Sequence, residues 1–300
     1  TTDGLSLLRD HGPTWDVEAL VGNLDAVADL AMLLGNAEGA AADVFREATA
    51  YIYQSLAVES GAPVRTLKPL MQVLLARLAL LEDPSRDELE LARDLAATLL
   101  TTGLDREGYA DLVADLQELQ GAQASLVNLS WSLDLAELLA IHACPGAEVR
   151  LRFVVGVVDV ARRLAHRLTY ADRLVVEYLC RDCGLHYPSE FAQESADDTT
   201  GDDRLSGKKV GIYTLIEPAG QRAALLLERI YPTIQVELNA DHECTSRLIA
   251  LARNADLFVF AWKSSKHQAY YCVKDHRDPK RALLLPVGKG SSSILQAILH

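Results

Sequence analysis

From Asp16 to Cys183, apolar positions recur every three or four residues, the period of a helix with one buried stripe. The pattern predicts helices over about 16–34, 37–60, 67–81, 85–102, 105–121, 122–143, 149–167 and 171–183. Gly61, Asp83-Pro84, Gly103, Pro145-Gly146 and Gly184 punctuate them. Ser85-Arg-Asp-Glu88 has the spacing of a capping box, in which a hydroxyl and a carboxylate three residues apart satisfy each other's backbone donors. Short turns between helices of this length imply antiparallel packing, and no signature repeats at a fixed period.

Beyond residue 206 the rhythm changes. Strands are expected over 209–216, 233–238, 257–262 and 282–287, each followed by a helix, at 219–230, 243–254, 265–275 and 291–299. Four β-α units of this size demand a parallel sheet with right-handed crossovers, and an order of 2-1-3-4 places a switch point between the first and third strands. The expected fold class is therefore α plus α/β: an N-terminal all-α helical bundle (1–190), an acidic linker (191–206) without periodicity, and a small four-stranded doubly wound, Rossmann-like domain (207–300).

Charge sharpens that division. The chain of 300 residues carries a net charge of -13. Residues 207–300 hold 13 Lys and Arg against 8 Asp and Glu, a net of +5, which leaves 16 against 34, a net of -18, elsewhere. A basic C-terminal domain suits an anionic ligand, whereas the acidic remainder argues against broad nucleic-acid binding and suits a protein partner or self-association. No apolar run approaches the roughly 18–20 residues of a membrane span. Five cysteines are too few and too irregular for a disulfide scaffold, so a reduced, cytoplasmic protein is expected. The chain opens on Thr1 rather than Met, as a processed or trimmed piece of a longer protein would, and no signal peptide is read.

Candidate chemistry concentrates at the carboxyl ends of the strands, where ligands bind in such sheets. Gly288, Lys289, Gly290, Ser291, Ser292 and Ser293 join an apolar strand to the last helix, presenting free N–H groups at a helix N-terminus where the dipole favours an anion. The spacing is neither a Walker A nor Gly-x-Gly-x-x-Gly, and a plain turn capped by Ser291 is the bland alternative. Thr214, Glu217, Lys263, Ser264 and Lys266 complete a rim of hydroxyls and charges. A Ser292–His267–Asp241 triad or a Glu217–His267 acid–base pair can be drawn, but no nucleophile elbow supports either, and no catalytic residue is assigned. Cys180 and Cys183, with His186 and Cys144, sketch a metal site as the minority reading, since both cysteines also fit the last turn of a helix.

On this β-α register and the Gly288–Ser293 loop, residues 208–300 resemble the CARF and SLOG-type ligand-sensing domains of prokaryotic defence and signalling proteins. The resemblance implies a nucleotide-derived ligand and control of an attached effector. The expected function is thus a regulatory or sensor subunit that binds an anionic, nucleotide-like ligand through the α/β domain and a protein partner through the helices. A nucleotide-processing enzyme using the same cleft and a non-catalytic scaffold are the alternatives.

Overall fold

The computed structural model describes residues 16–59, 65–122, 124–191, 203–262 and 267–299. They fall into two compact units, the described residues up to 122 with 142–150, and residues 124–141 with the described residues from 151 onward. The division does not follow the acidic stretch: helices on its N-terminal side belong with the sheet. Helical periodicity records that a face is buried, not which neighbour buries it.

In the first unit the opening helix is interrupted. Helix α1 (Val17–Val21) ends at Gly22, and α2 (Leu24–Gly35) restarts from Asn23, whose side chain accepts from the Ala26 N–H at 3.1 Å. A glycine followed by a strong N-cap residue thus outweighs an apolar pattern that runs straight through. Helices α3 (Ala40–Glu59), α4 (Lys68–Ala79), α5 (Arg86–Thr102) and α6 (Arg106–Ala122) follow at the expected places. Central α4 packs on α2, α5 and α6 and buries Leu70, Met71, Leu74, Leu75 and Leu78. The Ser85–Glu88 capping box is present, and Arg46 of α3 grips the same Glu88 from outside at 2.6 Å.

The second unit holds α7 (Leu126–Ile141), the larger part of α8 (Ala147–Arg163), α9 (Tyr170–Asp182) and the α/β elements. A Thr169–Asp172 capping box starts α9. Residues 192–202 of the expected linker lie outside the described residues; beside them Phe191 and Leu205 are buried. Strands β1 (Lys209–Tyr213), β2 (Gln235–Asn239), β3 (Leu257–Phe260) and β4 (Leu283–Leu284) form one parallel sheet in the order 2-1-3-4, the order that puts a switch point between β1 and β3. Helices α10 (Glu217–Ile230), α11 (Ser246–Asn254), α12 (His267–His276) and α13 (Ser291–Leu299) follow the strands in turn. The fourth strand is two residues long rather than six, because Pro286 has no N–H to give a ladder.

Helix α7 differs from the others. Every residue from Leu129 to Leu139 is buried, so it is enclosed on all sides rather than lying on a surface. It packs against α13 and α9, with α13 also against α10. Enclosed with its leucines are two carboxylates, Asp134 and Glu137. Among the described residues, no helix is long and apolar enough to cross a membrane.

Candidate functional site

Four segments converge at the carboxyl edge of the sheet. After β1, Thr214 is buried and its hydroxyl accepts from the Ile216 N–H at 3.1 Å, while Glu217 stands exposed in the first turn of α10. After β2, Asn239 donates to Asp241 at 2.8 Å and accepts from the Asp241 N–H at 3.0 Å; Thr245 also hydrogen-bonds the Asp241 carboxylate, and the Tyr213 hydroxyl donates to the Asp241 carbonyl. The Thr245 and Asn239 donors hold the Asp241 carboxyl below the usual range. After β3, Trp262 is half exposed, and Lys263, Ser264, Ser265 and Lys266 lie outside the described residues, as does the side chain of His267.

The fourth segment is the loop from Gly288 to Ser293. Its backbone donors point at an anion, and the anion belongs to the protein. Asp134 Oδ2 accepts from the Gly290 N–H at 3.2 Å, and Oδ1 from the N–H groups of Ser292 and Ser293 at 3.1 and 3.3 Å. The Ser293 hydroxyl donates to the same carboxylate. Glu137 Oε2 accepts from the Ser291 N–H at 2.8 Å. These are the donors that the start of an α-helix leaves without intrahelical partners, and the N-terminal dipole strengthens each bond to a negative charge. Asp134 is 1% exposed and Ser291 0%, so the cradle is closed to solvent.

The glycines permit the approach. A Cβ on Gly290 would lie 2.9 Å from the Asp134 Cβ and closer still to its carboxylate, and one on Gly288 would lie 2.7 Å from Asp134 Oδ2. Neither glycine has a positive φ, so closeness and not backbone conformation sets the requirement.

Glu137 faces a second charge. Arg222 of α10 approaches its Oε1 at 3.2 Å and also pairs with Asp182 at the end of α9. Burial pushes the Glu137 carboxyl above its ordinary range, and Arg222 opposes the shift. Arg229 pairs with Glu177 at 2.9 Å, and buried Arg277 donates to the carbonyls of Ala252, Ala255, Asp256 and Ala282. Several cations of the basic domain are thus bound to carboxylates of α7 and α9 or to backbone oxygens.

Of the residues drawn as a triad, Ser292 gives its backbone N–H to Asp134, Asp241 is held by Asn239 and Thr245, and the side chain of His267 lies outside the described residues. Cys180 and Cys183 close α9: the Cys183 N–H donates to Leu179 and the Leu185 N–H to Cys180, with Gly184 at φ 66°. Burial, then proximity to Cys183, pushes the Cys180 thiol up to about 11. Among the described residues, the group that brings three metal-ligating atoms together is instead Cys244, Cys272 and His276. Cys244 and Cys272 form a disulfide, which corrects the expectation of a fully reduced chain; the pairing arises because α11 and α12 pack side by side, not from any spacing in the sequence.

Asp134, Glu137 and Arg222 were not among the expected site residues. A signal existed in Leu126-Val-Asn-Leu-Ser-Trp-Ser-Leu-Asp-Leu-Ala-Glu-Leu-Leu-Ala-Ile141, apolar around the whole circumference yet carrying two acids. Such a helix is enclosed, and enclosed carboxylates require donors. Among curated proteins and among solved structures, none matches the chain significantly. The model of one protein family, described as DpdD-like, matches residues 2–297. The chain accordingly belongs to the DpdD-like family.

Proposed function

We propose that this chain is a non-catalytic subunit of a defence-related assembly, in which the α/β fold serves as a structural module and the helical unit docks a protein partner. Membership in the DpdD-like family supports the defence-related setting. The observation that carries the structural role is the Asp134 carboxylate seated on the Gly290, Ser292 and Ser293 amides, where a phosphate would otherwise bind. A carboxylate covalently tethered in a closed cradle competes with a dissolved anion at a very high effective concentration. On α2, Leu24, Met32 and Leu33 are each 60% or more exposed, which supports docking through the helical unit.

A second reading keeps a nucleotide-like ligand, as in a CARF- or SLOG-type sensor, and treats Asp134 as its displaceable stand-in. It is favoured by the chemistry of the loop, whose donors do hold a negative charge. Thermal denaturation of the full chain with nucleotides, cyclic oligonucleotides and inorganic phosphate separates the two. The structural reading expects no shift for the unaltered protein. Stabilisation by a nucleotide that disappears in Lys289→Ala and Ser292→Ala overturns it in favour of the sensor, and turnover of that nucleotide would point to an enzyme.

A further inference from the structure

We propose that Cys244, Cys272 and His276 form a site for a zinc-type divalent cation, opened by reduction of the Cys244–Cys272 disulfide. The two sulfurs and a ring nitrogen of His276 all lie within 4.8 Å of one another. Ligand atoms around a tetrahedral zinc stand roughly 3.5–3.8 Å apart, a spacing close to that of this cluster once the S–S bond is opened. The backbone is already placed: Cys244 precedes α11, Cys272 and His276 lie one turn apart on α12, and the two Cα atoms of the cysteine pair are 5.5 Å apart.

One ring nitrogen of the histidine is already engaged. Its Nδ1 lies 2.8 Å from the Cys272 carbonyl oxygen, which can only accept, so Nδ1 carries the proton and the Nε2 lone pair is left for a metal. A backbone carbonyl holding one ring nitrogen of a ligating histidine is the usual support that fixes its tautomer. Two thiolates and an imidazole select zinc over magnesium or calcium, which take oxygen ligands. Cys272 is 5% exposed within a cluster of Tyr213, Leu248 and Phe260, whereas Cys244 is exposed. The site therefore has an apolar floor and an open face, where water or an incoming ligand takes the fourth position.

The conversion balances with a dithiol as reductant. Two electrons and two protons cleave the S–S bond into two thiols while the reductant closes its own disulfide; zinc then binds as both thiols release their protons to solvent. A two-electron oxidant of the peroxide class reverses the process, closing the disulfide, expelling the metal and being reduced to water.

The test uses the full chain, reduced, freed of reductant without air, and titrated with Co2+ in place of zinc. One equivalent is expected to produce thiolate-to-cobalt charge-transfer absorption, absent from the oxidised protein and from Cys244→Ser, with affinity lower on the order of tenfold or more in His276→Gln. A second measurement needs no variant: zinc should shield Cys244 and Cys272, but not Cys144, Cys180 or Cys183, from alkylation mapped by mass spectrometry. No charge-transfer band in the reduced protein overturns the proposal. So does a band that persists in Cys244→Ser, or alkylation of Cys244 and Cys272 that zinc leaves unchanged.

Discussion

The Asp134 carboxylate accepts from both the backbone N–H and the hydroxyl of Ser293, 159 residues further along the chain. This contact, with those to Gly290 and Ser292, ties the enclosed helix α7 to the start of α13. Removing the carboxylate in Asp134→Ala leaves several buried donors without an acceptor. Breaking a buried charged network from one side costs about 3–5 kcal/mol. Chemical denaturation measures it, and a loss below about 1 kcal/mol would show that the contact is not structural.

The emptied cradle of Asp134→Ala should then behave as the loop's chemistry implies. Inorganic phosphate is expected to raise the melting temperature of this variant and to leave the unaltered protein where it is. An equal response in both would mean that phosphate acts elsewhere.

Gly290→Ala tests the close approach without removing any polar group. The new Cβ meets the Asp134 side chain, and forcing an extra carbon into a packed interior costs about 1–3 kcal/mol. Because the φ of Gly290 is not positive, pairing it with Asp134→Gly, which removes the facing Cβ along with the carboxylate, should cost less than the two single changes summed; a fully additive double variant would refute the steric account.

Arg46 and Glu88 predict an acid-side dependence. The Arg46 hydrogen bond, aided by the Ser85 donors, lowers the Glu88 carboxyl from 4.5 to about 2. A depressed carboxyl stabilises the folded chain above its unfolded pKa and loses that contribution as pH falls from 4.5 toward 2. Arg46 is 45% exposed, so solvent screening limits the pair to about 1 kcal/mol or less. Arg46→Ala should therefore be slightly less stable than the unaltered chain at neutral pH, with the gap closing by about pH 2; a gap that persists there would rule out an electrostatic origin.

Asp115 predicts the opposite sign. Burial, then Asp111 and Glu118, raises its carboxyl from 3.8 to about 6. The folded chain holds that proton more tightly than the unfolded chain, so stability falls as pH rises between those values. Asp115→Asn removes the effect and should gain about 1 kcal/mol relative to the unaltered protein between pH 4 and pH 7, after allowance for partial exposure. Melting temperatures at the two pH values decide it; no change in the difference between the two proteins would reject the assignment.

The elements legible in the sequence are those governed by neighbours along the chain. Ser85 and Glu88 cap α5 because they are three residues apart, and the alternation of apolar strands with helices dictates the parallel sheet that is observed. Short-range chemistry also explains two departures, since Asn23 restarts a helix and Pro286 shortens a strand. The Gly288–Ser293 loop was recognisable as a cradle for negative charge because its donors, dipole and glycines are contiguous.

What occupies that cradle was decided at long range. Asp134 and Gly290 meet only when α7 is enclosed against α13, and no local rule pairs an acid with amides 156 residues away. The same holds for Cys244 and Cys272, brought together by the packing of α11 on α12. Local pattern specifies which groups need a partner, because each unsatisfied donor or buried charge carries its cost wherever it sits. The partner itself depends on which surfaces the chain buries against one another, a choice made by the fold as a whole.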